Sequence, residues 1–145
     1  MNARLKQEDI VFLFDEVWPR MEYSAVYRDS CLARLEVINS LFERYADSAD
    51  KLLRALDALD GIGLVIGSGL IFAANRETMV PFDKYTMGWA LELCIIPDNR
   101  ISIGSNYSAY SRKVVEHIRK SEHLHSILDF VREADYKAQF PYSPE

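Results

Sequence analysis

The chain has 145 residues, 49% of them apolar, and carries 17 basic against 22 acidic side chains for a net charge of −5. That length and apolar content suffice for a single helical domain over residues 1–145 whose core needs no covalent staple. The acidic balance excludes indiscriminate polyanion binding, which depends on neutralising phosphates, although residues 61–120 hold seven basic and five acidic side chains and form a net-basic stretch.

Ile10, Leu13, Phe14, Val17 and Trp18 recur at helical spacing and predict one amphipathic helix ended by Pro19. The run IVFLF within it is bounded by Glu8, Asp9, Asp15 and Glu16, which is unlike a signal peptide. No run is long enough to cross a bilayer, so the expected location is the cytoplasm, or the nucleus of a eukaryote, without secretion or membrane attachment. A second helix is expected from Ser24 or Ser30 to Tyr45, burying Cys31, Leu35, Ile38, Phe42 and Tyr45. Asp47-Ser48-Ala49-Asp50 then supplies a break and an N-cap.

The next stretch, from Leu52 to Trp89, contains five of the six glycines. Leu52, Leu53, Leu56 and Leu59 form one face of a helix that Gly61-Ile62-Gly63 stops, and a second apolar helix starts at once. Glycines in such a turn permit positive φ and let another group approach without meeting a Cβ. The helix that follows offers free N–H groups and a partial positive charge, which suits an anion. Leu70 to Ala74 is apolar nearly all round, placing this helix at the centre of the fold. Asn75 to Thr78 is a polar exit, Pro81 keeps the chain extended, and Asp83 caps a helix through Leu93.

Pro97 to Arg100 reads as a turn and Ile101 to Asn106 as a loop. Tyr107, Tyr110, Val114 and Ile118 mark a helix that also carries Arg112, Lys113, Arg119 and Lys120. Leu124, Ile127, Leu128 and Val131 mark the last helix, either continuing from the previous one or restarting at Ser121, before a frayed PYSPE end. The chain is thus expected to be all-α, with six to eight helices and no sheet. Cys31 and Cys94 lie far apart in apolar helical patterns and read as buried free thiols in a reducing compartment.

The segments LDGIGLVIGS and VPFDKYT together resemble the helix-hairpin-helix of the base-excision DNA glycosylases, the superfamily of endonuclease III, the adenine mismatch glycosylase and the 8-oxoguanine glycosylases. The hairpin occupies residues 50–75 and the glycosylase-like core about residues 50–120. The resemblance implies an orthogonal helical bundle that binds duplex DNA and hydrolyses the N-glycosidic bond of a damaged or mismatched base. It implies that Gly61, Ile62, Gly63, Leu64 and Val65 hold a DNA phosphate. It also implies that Asp83, eighteen residues beyond Val65, is the catalytic carboxylate facing positive charge on the sugar as a flipped base departs. Lys84, Tyr85, Tyr107, Tyr110, Arg112 and Lys113 are candidates for base or backbone contacts, with Trp89 a further aromatic.

Bifunctional relatives use a lysine where this chain has Val65, so no Schiff-base lyase step is expected. Without a four-cysteine cluster an iron–sulfur centre is excluded, and no cofactor is expected. His123 and His125 are two residues apart and do not share a helix face, so no metal site is expected either. Neither a serine or cysteine nucleophile constellation nor a P-loop can be assembled.

Each of these features has a plainer counterpart. An aspartate before an apolar helix is an ordinary N-cap, glycine commonly ends helices, and most aromatic side chains serve the core. The family enzymes close a cleft between two helical domains and are longer. Here the first fifty residues would have to supply a reduced second half, or a homo-oligomer would complete the pocket. Two rivals therefore stand beside the glycosylase: a non-enzymatic hairpin module that binds nucleic-acid backbone or proteins, and a helical protein in which GIG is only a turn and Asp83 only a cap.

Overall fold

The computed structural model describes residues 4–97 and 106–141, and among these every regular element is helical. In chain order the α-helices are α1 (Gln7–Phe12), α2 (Ser24–Ala33), α3 (Leu35–Arg44), α4 (Ala49–Asp57), α5 (Gly63–Ala74), α6 (Lys84–Glu92), α7 (Tyr107–Lys120) and α8 (Ile127–Gln139). A π-helical turn, Leu13–Val17, extends α1. The chain is all-α, as expected.

The first apolar stripe is not one straight α-helix. After Phe12 the ladder widens, and the Trp18 amide donates to the Leu13 carbonyl at 2.9 Å, five residues back. Such a bulge frees a carbonyl from the regular pattern; here the Ser24 hydroxyl donates to the Phe14 oxygen at 2.9 Å. The expected second helix is likewise two helices, broken at Arg34 (φ −108°, ψ 15°). Both pieces have tertiary anchors. The Arg34 guanidinium donates to the Asp60 carbonyl, and Asn39 pairs with the Leu5 backbone, accepting from its N–H at 2.7 Å and donating to its carbonyl at 2.8 Å.

Ser48 caps α4 through the Lys51 amide at 3.2 Å, as its sequence position suggests. Helix α5 is buried from Ile66 to Ala74 and packs on α4, α1 and the π turn. Two small residues make that approach possible. A Cβ on Gly67 would lie 3.1 Å from the Leu56 Cβ, and one on Gly69 would fall 2.2 Å from the Trp18 ring. The core is continuous from Leu5 through the π turn, α4, α5 and α7 to Ala134 in α8.

Helix α8 begins at Ile127 with Ser126 as its cap, so the final helix restarts later than Ser121. Cys31 is buried, but Cys94 is exposed just past α6 with φ 58°, correcting the expectation of two buried thiols. The turn and loop expected over residues 98–105 and the end beyond Pro141 lie outside the described residues. Among the described residues no helix is long and apolar enough to cross a membrane.

Candidate functional site

The turn between α4 and α5 has the backbone that its two glycines foreshadow. Gly61 and Gly63 have φ of 78° and 71°. Nothing lies within 4 Å of where a Cβ on Gly63 would sit. Helix α5 begins there without a side-chain cap and without an acidic residue in its first turn. Ile62 is buried and anchors the turn, Leu64 is half-buried, and Val65 is exposed. Gly61 is exposed, beside the Arg34 guanidinium and the exposed Asp60. The arrangement offers backbone N–H donors at a helix N-terminus to solvent, with one cation bound to the turn itself.

Asp83 is joined to this region through α5. The Ser68 hydroxyl donates to the Val65 carbonyl at 2.8 Å and accepts from the Phe82 amide at 2.7 Å. The extended segment Val80–Phe82 is clamped from α7 as well. Tyr107 Oη donates to the Val80 and Ser68 carbonyls at 2.9 and 3.3 Å, Tyr110 Oη donates to the Pro81 carbonyl at 3.2 Å, and Ser111 Oγ accepts from the Val80 amide at 3.1 Å. Extended backbone without a sheet partner must place its polar groups somewhere, and these hydroxyls receive them.

Asp83 is 9% exposed. Its Oδ1 accepts from the amides of Tyr85 and Thr86 at 2.9 and 2.8 Å, and its Oδ2 accepts from Thr86 Oγ1 at 3.0 Å. Burial raises its pKa above the usual carboxylate value, and those donors offset the rise in part. The carboxylate therefore holds the first turn of α6 to the clamped segment. Three open pockets among the described residues, of about 340, 590 and 520 Å³, are lined by neither Asp83 nor residues 61–65.

The remaining candidates fall into two groups. Tyr107 and Tyr110 are each 1% exposed, and burial raises the pKa of both phenols; they pack and clamp inside the core. Trp89 is buried too. Lys84, Tyr85, Arg112 and Lys113 are exposed, with the Lys84 ammonium 4.9 Å from the centre of the Tyr85 ring. Among the described residues no group of three or more His, Cys, Asp or Glu side chains is placed to hold a metal ion.

One constellation that the sequence did not disclose lies elsewhere, between α6, α7 and α8. His123 Nε2 is 2.9 Å from Glu133 Oε2, His123 Nδ1 is 3.2 Å from Ser121 Oγ, and Trp89 Nε1 donates to Glu133 Oε1 at 2.7 Å. The available signal was the Ser-x-His spacing, with an acid on the following helix.

No family model, curated protein or solved structure matches the chain.

Proposed function

We propose that the chain is a non-enzymatic helix-hairpin-helix module that holds a phosphate of a nucleic-acid backbone through the amides of Gly63, Leu64 and Val65. The observation that carries this reading is the start of α5: positive φ at Gly61 and Gly63, open space over Gly63, and no side chain or acid capping the helix. Donors at such a terminus favour an anion over a cation or a neutral group. Arg34 adds a positive charge at the turn. The resemblance of LDGIGLVIGS to the glycosylase hairpin supplies the kind of anion, a DNA phosphate.

In this reading Asp83 is a structural cap. A carboxylate that stabilises a sugar cation needs lone pairs facing the substrate, and those of Asp83 accept hydrogen bonds from the Tyr85 and Thr86 amides and the Thr86 hydroxyl. The exposed cations Lys84, Arg112 and Lys113 add to backbone attraction without reading sequence.

The test is a titration of labelled duplex DNA, with and without an abasic-site analogue, at two salt concentrations. The expected result is weak binding with little preference for the lesion, and a fall with salt set by the few phosphates contacted, about 0.9 logarithmic units of affinity per logarithmic unit of salt for each. Absence of binding at low salt overturns the module reading. Release of a base by the wild-type protein, lost in Asp83→Asn, overturns the non-enzymatic part and restores the glycosylase.

A further inference from the structure

An open pocket of about 340 Å³ lies between the end of α6, the end of α7 and α8, lined by Leu93, His117, Lys120, Ser121, Glu122, His123 and Glu133. Three of those lining residues form a relay. Ser121 Oγ accepts the backbone N–H groups of His123 and Leu124 at 3.3 and 3.1 Å, which fixes the hydroxyl in a turn. Those amides take two acceptor directions of the hydroxyl, and transfer of its proton to His123 Nδ1, 3.2 Å away, frees the O–H electron pair for attack. The other ring nitrogen, Nε2, is 2.9 Å from Glu133 Oε2. A carboxylate at Nε2 selects the tautomer that is protonated there and leaves Nδ1 as an acceptor for the serine proton. Glu133 is itself held by the Trp89 indole at 2.7 Å, and its side chain is 21% exposed whereas that of His123 is 69% exposed. The carboxylate end of the relay is sheltered and the serine end is open to the pocket.

We infer that this pocket is an acyl-transfer site for small carboxylic esters, with Ser121 as nucleophile, His123 as general base and Glu133 as the residue that positions the imidazole. The arrangement follows the logic of nucleophile, base and orienting acid that recurs on unrelated folds. Ser121 Oγ adds to the ester carbonyl carbon while its proton passes to His123 Nδ1. Collapse breaks the bond to the alcohol oxygen, which leaves with that proton. Water then adds to the acyl-serine, giving its proton to Nδ1, and expulsion of Ser121 Oγ, which takes the proton back, releases the carboxylic acid. The Lys120 ammonium, hydrogen-bonded to Glu116 at 3.0 Å, lines the same pocket, as do the titratable groups of His117 and Glu122. Leu93 supplies the apolar surface that an acyl or aryl group would cover.

The experiment uses the whole protein with p-nitrophenyl acetate and, separately, a fluorophosphonate that phosphonylates activated serines with loss of fluoride. Wild-type protein should release p-nitrophenol faster than imidazole at equal concentration and take up the phosphonate at Ser121, located by peptide mass spectrometry. His123→Gln leaves the Ser121 turn intact, because that turn is made with backbone amides, and should lower both rates by about a hundredfold or more. Glu133→Gln keeps an oxygen for Trp89 but no longer holds the Nε2 proton. It should lower the rate and move the pH profile, which a merely structural role would leave in place. Failure of the folded wild-type protein to label at Ser121, labelling confined to lysine or tyrosine, or a His123→Gln rate equal to wild type would each overturn the inference and leave an ordinary serine turn.

Discussion

Asp83 and Glu133 are both carboxylates on or beside helices of the same domain, and they are used in opposite ways. Asp83 accepts from two amides and a hydroxyl in the first turn of α6, the helix that it caps. Glu133 lies within α8 and reaches across to Trp89 in α6 and to His123 in the connection before α8. The first arrangement consumes the acceptor capacity of the acid in holding backbone. The second uses the acid to orient a base that is open to solvent. A carboxylate at a motif position is therefore weaker evidence of chemistry than one whose partners are side chains distant in sequence and whose neighbour lines a pocket.

The sharpest way to break that contrast is to remove Asp83. Asp83→Ala takes away an N-cap and leaves the Thr86 hydroxyl without its acceptor, so a loss of about 2 kcal/mol is expected from urea unfolding with an unchanged slope. A loss below about 0.5 kcal/mol would mean that Asp83 holds nothing.

The pH dependence sharpens the same point. Because the pKa of Asp83 is raised in the folded state, the folded protein binds more protons than the unfolded chain between the ordinary value of 3.8 and the raised one. The contribution of Asp83 is thus fully present at low pH and declines as pH rises through that window. Relative to Asp83→Asn, the wild-type protein should lose stability across the carboxylate range as pH increases. A difference that grows with pH would show that the donors outweigh burial.

On the other side of the comparison, Trp89→Phe removes the indole donor to Glu133 and part of a buried ring and should cost about 1–3 kcal/mol. His123→Gln, at an exposed pair, should cost less than about 1 kcal/mol. A larger effect for His123 than for Trp89 would place the anchoring of Glu133 on the wrong partner. The smallest effect concerns the thiols. Burial raises the Cys31 pKa to about 11, and Cys94 is exposed. A disulfide reagent should therefore titrate one thiol promptly in native protein and the second only on unfolding.

Much of this fold is written locally in the chain. The all-round apolar character of Leu70–Ala74, the serine before α4 and the aspartate before α6 are signals of one or two helical turns, and each element stands where they indicate. The departures come from contacts distant in sequence. The bulge after Phe12 brings in Ser24, and the Trp18 beyond it packs over Gly69; the α2–α3 break at Arg34 is tied to Asp60. No spacing within a single helix encodes such pairings. For the same reason the turn between α4 and α5 could be located from GIG and the apolar helices that flank it, whereas the relay between Ser121, His123 and Glu133 could not. It depends on α8 restarting at Ile127 at an angle that returns Glu133 to the turn. The aromatic side chains divide by burial. Tyr107 and Tyr110 are spent on clamping Val80–Pro81, which only the packing of α7 against α4 and α8 makes apparent.

The hairpin as a phosphate site can be tested most directly at Val65, which is 37% exposed in the first turn of α5. A carboxylate placed there by Val65→Glu complements the helix N-terminus and should leave stability unchanged or raise it by about 0.3–1 kcal/mol, yet it occupies the position where a phosphate would bind. Duplex-DNA affinity measured at low salt should therefore fall at least tenfold for Val65→Glu and rise for Val65→Lys, with both variants as stable as wild type. Equal affinity in all three proteins would contradict the account and reduce the glycine turn to a connection between two helices.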